Sequence, residues 1–245
     1  MLELKFDARK QLKIRLRAQS PMIHFQACDG GPSGVTLRAS EVRPKLDKYI
    51  FRRIAGIAPG EELSGDHLLK VKKDLLKKEE FQDIFTDPDK ADYALKYKMS
   101  IQVDADKPVT FVTLEKENSS YSAYMPFFAN AGKRDRAPLK GVLCDPVLTI
   151  TCFNEHVRFL IVKYLKDFFF VTNFGTRQGK GFGSFVLEGS EREEANVVQA
   201  LKKNYGAKVC YRMQIKYSPS ALTIPPCRPL MRMASGTSRR STSVR

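Results

Sequence analysis

The chain has no tryptophan, only three histidines and only five cysteines, and these scarcities narrow its chemistry. Cys28, Cys144, Cys152, Cys210 and Cys227 form no CxxC pair, so zinc sites of the usual spacing are not expected. The odd cysteine count and the absence of an apolar signal core from MLELKFDARKQ predict a reducing cytoplasm, with the thiols acting as small core residues. Long hydrophobic runs are missing as well. A membrane span needs about 18 or more consecutive apolar residues, whereas the densest stretch, 157–171, is broken by Arg158, Lys163, Lys166 and Asp167. No carboxylate cluster suggests a two-metal nuclease, and neither a metal nor a small-molecule cofactor is expected. Acidic residues are in deficit too: 27 Asp and Glu face 42 Lys and Arg, a formal net charge of +15. With no membrane segment to account for it, that excess predicts a nucleic-acid partner.

What is present is a chain of 245 residues with 42% hydrophobic content, enough for one large domain or two small packed ones. QLKIRLRAQ (11–19) alternates strictly, with Leu12, Ile14 and Leu16 on one face and Lys13, Arg15 and Arg17 on the other, the pattern of a half-buried strand. From Val42, apolar residues at Leu46, Tyr49, Ile50 and Ile54 have helical spacing, and Pro44 suits a first turn. DHLLKVKKDLLKKEEF (66–81) predicts a second helix with Asp66 as N-cap and its lysines on a solvated face. YALKYKMSIQV (93–103) alternates again, and KPVTFVTLE (107–115) is expected to pair with it as a hairpin. Residues 116–141 end in a basic tip, Lys133, Arg134, Arg136 and Lys140, as expected of a projecting hairpin or loop. PVLTITCF (146–153) predicts a strand, NEHVRFLIVKYLKDF (154–168) a helix capped by Asn154, and FVLE (185–188) a short strand. Ser190 and Glu193 form a capping box for a helix over 190–206, followed by an alternating strand at 209–217. The order predicts an α+β fold, an antiparallel ferredoxin-like or RNA-recognition-motif-like sheet with helices on one face. Residues 1–229 form one domain, with a division into two ferredoxin-like halves (1–141 and 142–229) as the alternative, and 230–245 is a basic flexible tail.

NFGTRQGKGFGSF (173–185) places four glycines and two cations directly after an apolar run. A nucleotide-binding P-loop requires G-x-x-x-x-G-K-[ST] before a helix. Here the glycine spacing is one residue short, Lys180 precedes Gly181, and a strand follows. The RNA-recognition-motif signature begins well at Lys180, Gly181, Phe182 and Gly183, but Ser184 then displaces the second aromatic to the opposite strand face. Three readings remain: an aromatic base-reading platform, a tight helix-to-strand connection, or a loop whose backbone amides, Arg177 and Lys180 approach phosphates closely. The density of glycine and cation favours the last.

Helix, G-x-x-x-x-x-G-x-G-S and then strand resembles the glycine-rich loop of the RAMP superfamily, the ferredoxin-like subunits of class 1 CRISPR effector complexes. The segment from SPMIHF to LRASEVRPKLDKYIFRR is similar to that superfamily's first strand and first helix. The likeness covers roughly 11–54 and 146–217. It implies a non-catalytic subunit of a prokaryotic, cytoplasmic ribonucleoprotein, with crRNA, target nucleic acid and other RAMP-type subunits as partners. Size, a single glycine loop and the basic hairpin favour the group that holds the 5′ handle of the guide RNA. The alternatives are a metal-independent endoribonuclease that processes repeat RNA and a repeating backbone subunit that coats the guide. The RNA-binding residues implied are Arg38, Arg43, Lys45, Lys48 and Arg52 around the first helix, the hairpin cations Lys133, Arg134, Arg136 and Lys140, and the loop residues Asn173, Gly175, Thr176, Arg177, Gln178, Gly179, Lys180, Gly181, Phe182 and Gly183. Positions 45, 48 and 52 share a helical face, so the first helix and the glycine loop are expected to clamp one RNA segment.

Cleavage without metal would need a general base near the 2′-hydroxyl. His24 stands after the first strand, where such a base would sit, but between Ile23 and Phe25 a packed histidine is the commoner outcome. His67 and His156 have no evident partner in sequence.

Overall fold

The computed structural model describes residues 3–23, 36–58, 61–103, 109–113 and 140–190. Four strands, β1 (Gln11–Ala18), β2 (Lys98–Val103), β5 (Pro146–Thr151) and β6 (Phe185–Leu187), form one sheet in the order β2-β5-β1-β6. Every pairing in it is antiparallel. Helix α1 (Ala39–Ala55) follows β1, and helix α3 (Glu155–Val171) connects β5 to β6. This is the ferredoxin-like β-α-β-β-α-β arrangement. Its central strand pair is interrupted by a second ladder, β3 (Thr110–Thr113) against β4 (Lys140–Leu143). The sheet thus draws β1 and β2 from one side of residue 141 and β5 and β6 from the other.

Pairing differs from expectation at one point. β3 pairs with β4, not with β2, and β2 takes β5 as its neighbour. The alternation of β2 is correct, but alternation does not specify a partner, and β3 takes instead the strand that begins at Lys140.

One face of the sheet carries the core. Leu12 and Leu16 of β1 and Leu148 and Ile150 of β5 are buried beside Val42, Leu46, Ile50 and Phe51 of α1. α3 adds Val157, Leu160, Ile161, Leu165, Phe168 and Phe169. Its start is as expected: the Asn154 side chain accepts a hydrogen bond from the Val157 N–H at 3.0 Å. α1 ends at Gly56, in the left-handed region at φ 68, the usual glycine helix stop. Pro44 lies in the second turn rather than the first, as the sixth residue of the helix, where it removes one main-chain donor. On the opposite sheet face the row of cations is partly neutralised, since Arg17 reaches Asp145 at 3.3 Å and Glu188 at 3.1 Å.

Helix α2 (Gly65–Leu76) is shorter than its charge pattern suggests, and a separate 3-10 turn follows at Glu79–Phe81. Ser64, not Asp66, is the N-cap, accepting from the His67 N–H. One lysine leaves the solvated face altogether. Lys72 is 0% exposed, and its ammonium donates to the carbonyls of Asp87 (2.6 Å), Lys90 (2.9 Å) and Asp92 (3.1 Å). The Asp92 carboxylate lies 3.3 Å away, so the buried charge is compensated while it fastens the connection leading to β2. Of the predicted helix at 190–206 only Ser190 is described, buried with its hydroxyl donating to Leu187 O at 2.6 Å, while the strand at 209–217 and the tail lie outside the described residues.

Candidate nucleic-acid interface

The four glycines of the loop after α3 divide into two kinds. A Cβ on Gly183 would stand 1.9 Å from the Phe174 carbonyl oxygen, and one on Gly175 would stand 2.6 Å from the Ile23 carbonyl oxygen. Both residues also have positive φ, 69 and 77. These two glycines let the loop cross its own backbone and the chain leaving β1, so the plain structural reading holds for them. Nothing lies within 4 Å of a Cβ on Gly179 or Gly181. Gly181 serves its turn, with φ 88, whereas Gly179 has neither a positive φ nor a neighbour. It is the position whose bareness leaves main chain open to a ligand.

Hydrogen bonds fix the loop against the exit of β1. The Thr176 N–H donates to Ile23 O at 2.8 Å and the Gly183 N–H to Pro21 O at 2.9 Å. The Ser20 hydroxyl donates to Gly181 O at 2.7 Å and accepts from the Ser184 N–H at 3.0 Å. Within the loop, the Asn173 amide donates to Gln178 O at 2.9 Å, beside a 3-10 turn at Gln178–Lys180. Arg177 opens that turn in the left-handed region at φ 55, a conformation that costs a non-glycine residue on the order of 1–3 kcal/mol. The result is a rigid platform whose outer edge carries Gln178, Gly179 and Lys180, all exposed.

α1 meets this platform. The Lys45 ammonium donates to Asn173 O at 2.9 Å and to the Gln178 side-chain oxygen at 2.6 Å, and lies 5.0 Å from the centre of the Phe174 ring. Burial lowers the Lys45 pKa, and the Glu41 carboxylate opposes the shift. Lys45 is therefore a tie between helix and loop. Around it opens a groove of about 430 Å³ lined by Lys45, Lys48, Tyr49 and Arg52 from α1 and by Asn173, Gln178 and Gly179 from the loop. Lys48 is exposed at its rim. Arg52 also holds the turn after α1, donating to Ala58 O at 2.5 Å and Glu61 O at 2.7 Å.

The remaining sequence-predicted residues go elsewhere. Arg43 turns to the far side of α1, donating to Leu95 O at 3.1 Å and lying 5.1 Å from the Tyr97 ring centre. Beside it, Asp47 is 3% exposed, and burial raises its carboxyl pKa to about 6 despite the Tyr97 hydroxyl and the Arg43 guanidinium nearby. Arg38 occupies the N-cap position of α1 without a side-chain capping bond. Phe182 is only 6% exposed and Phe185 0%. Neither ring offers a face for stacking, so Phe182 is a packing residue and the aromatic reading platform is not built. His67 and His156 are exposed, and among the described residues no group of three or more His, Cys, Asp or Glu could hold a metal. Cys144 and Cys152 are buried free thiols, the former pushed up to about 11 by burial. His24 and the hairpin cations Lys133, Arg134 and Arg136 lie outside the described residues. Lys140 is placed only through its backbone, paired with Thr113. Sequence reasoning missed Ser20 and Pro21, which anchor the loop. The signal available was the SPMI stretch at the end of an alternating strand.

No helix among the described residues is long and apolar enough to cross a membrane. Comparison with curated proteins finds no match. Among solved structures, the chain is similar to a chain of the cryo-EM structure of the Type III-B Cmr-beta bound to cognate target RNA. The two share 13% identity with a TM-score of 0.37, over 73% of this chain and 58% of that one, so the present chain spans less than two thirds of the similar chain's length. Residues 9–233 match the family described as the Cmr1 N-terminal domain. With that match spanning most of its length, the chain belongs to the Cmr1 N-terminal domain family.

Proposed function

We propose that the chain is a non-catalytic RNA-holding subunit that grips single-stranded RNA in the groove between α1 and the glycine loop. The observation that carries this reading is the convergence of Lys48 and Arg52 with the exposed backbone around Gly179 in one groove. Cations there take phosphates, and an amide without a side chain beside it allows close approach. Lys45 holds the loop in place and is a positioning residue. The partners are crRNA, target nucleic acid and neighbouring effector subunits. Lys133, Arg134, Arg136 and Lys140 and the cations of 230–245 add to the chain's positive charge.

The test is a binding titration of the purified chain with fluorescent guide RNA. Replacing Lys48, exposed at the groove's rim, and Lys180, exposed on the loop's outer edge, together by alanine weakens binding several-fold and leaves the melting temperature nearly unchanged, because exposed substitutions cost little stability. A large loss of stability with normal RNA affinity would return the loop to a purely structural role. Crosslinking through photoreactive guide nucleotides then identifies the segment held. Adducts to the 5′ handle support the handle-binding role, and adducts to the guide body support the coating role. Incubation with labelled repeat RNA in EDTA separates both from the endoribonuclease alternative, in which product would form.

A further inference from the structure

A second groove lies on the other side of α1. Residues 43 and 45 point to opposite sides of a helix, and while Lys45 faces the glycine loop, Arg43 faces the corner of the sheet where β2 begins and β5 ends. Lys98, the first residue of β2, pairs with Thr151, the last of β5. This corner encloses a groove of about 630 Å³ whose charged lining is Arg43, Lys96, Lys98 and Asp83, with Phe153 and Asn154 completing one wall. Three cations thus face one carboxylate. Phe153 is 79% exposed, more than any other large hydrophobic side chain described.

The ring sits on fixed backbone. The Arg158 guanidinium donates to Phe153 O at 3.0 Å and to Cys152 O at 3.3 Å. Asn154 accepts from the first turn of α3 and donates to Asp83 O at 3.1 Å. Arg43 is held by Leu95 O, and Lys96 is paired with the Asp83 carboxylate. An exposed aromatic face on a rigid support, with held cations a few residues away, is the combination that binds single strands by stacking a base and neutralising its phosphates.

We propose that this groove is a nucleotide subsite for single-stranded nucleic acid, with a base stacked on Phe153 and flanking phosphates on Arg43 and Lys98. Asp83 accepts from the N3–H of a uracil and disfavours an acidic protein segment, whose carboxylates it would repel. The site shares with the proposed function only the class of ligand and none of the glycine-loop groove's residues.

The experiment uses the full chain and a short fluorescent oligouridylate carrying thiouridine. Phe153→Ala weakens binding about 5-fold or more and leaves the slope of log affinity against log salt unchanged, since the ring carries no charge. Phe153→Tyr retains affinity, and Lys98→Ala lowers the slope by about 0.7, one phosphate contact on a single strand. Photocrosslinking places an adduct on the peptide containing Phe153. Affinity of Phe153→Ala within about twofold of the parent, set against that stacking range, overturns the proposal, as does absence of the adduct. Tighter capture of a polyglutamate peptide than of the oligouridylate, lost in Phe153→Ala, assigns the groove to an acidic protein partner and also overturns it. Phe153→Leu, which keeps apolar bulk without an aromatic face, guards against a folding effect by matching the parent's melting temperature while losing affinity. Variants of Lys48 and Arg52 report on the glycine-loop groove alone, so either site can fail without the other.

Discussion

Gly183 and Gly179 are four residues apart, yet the structure gives them unrelated tasks. At Gly183 a methyl group would collide with the Phe174 carbonyl in a backbone conformation that L-residues avoid. Gly183→Ala is therefore expected to cost about 2–4 kcal/mol, because the Phe174 carbonyl it would strike is main chain and cannot rotate away. At Gly179 the same methyl meets open space, and Gly179→Ala is expected to change stability by less than about 0.5 kcal/mol while weakening RNA binding. Thermal melts and RNA titrations of the two variants check this together. Equal stability losses would mean that the loop has no bare position kept for a ligand. From sequence the four glycines were indistinguishable, because what separates them is the distance to carbonyls of Ile23 and Phe174, not their neighbours in the chain.

Helix α1 shows the same division at the level of an element. Its apolar spacing announced the helix and the buried positions Leu46 and Ile50, and its cations at 45, 48 and 52 announced one basic face. The charged residue at 47 gave no sign that it would be enclosed, since a lone Asp in a basic helix ordinarily faces water. Packing against β2 places it beneath Tyr97 and Arg43, and burial raises its pKa to about 6 from the usual 3.8. A carboxyl with a raised folded pKa favours the fold when protonated. Its contribution is complete below about pH 4 and is lost as pH rises through about 6. A shift of that size corresponds to about 3 kcal/mol. Asp47→Asn is thus expected to remove the fall in stability between those pH values, measured as denaturation midpoints across the range. A parent protein whose stability is flat there would show that Arg43 already compensates the charge in full.

At the scale of the whole molecule, the charge excess dominates. A chain with formal net charge +15 that neutralises several phosphates releases their counterions, so affinity for RNA should fall steeply with salt, with a log–log slope of about −0.7 per phosphate for a single strand. Raising salt from about 50 to about 200 mM is expected to weaken binding by an order of magnitude or more. A dissociation constant that does not move would defeat the electrostatic argument. Not all of the excess is available to a ligand: Arg17 is met by Asp145 and Glu188, Lys72 is consumed inside the fold, and Arg52 partly braces its own helix end. Folding sorts cations into structural and ligand-facing ones, and the net charge alone does not.

The sequence by itself determined most of the elements and, through the surplus of cations, the expectation of a polyanionic partner. Strict alternation at 11–19, helical spacing from Val42 and from Val157, and the Asn154 cap are local properties, set by neighbours within a few residues. The glycine loop and the surplus of cations are equally local, and they pointed to the RAMP superfamily before any packing was known. Tertiary structure alone decided the partners across the sheet, with β2 beside β5 and β3 beside β4, because alternating strands carry no label for their neighbours. It alone decided that Phe182 packs inward while Phe153 stands in water, and that Lys72 is buried while Lys48 is not. Above all it brought α1 and the glycine loop to one groove, joined through Lys45. The physical reason is that local preferences act over one turn or one strand, whereas burial, pairing and the meeting of distant cations depend on where the whole chain closes on its core.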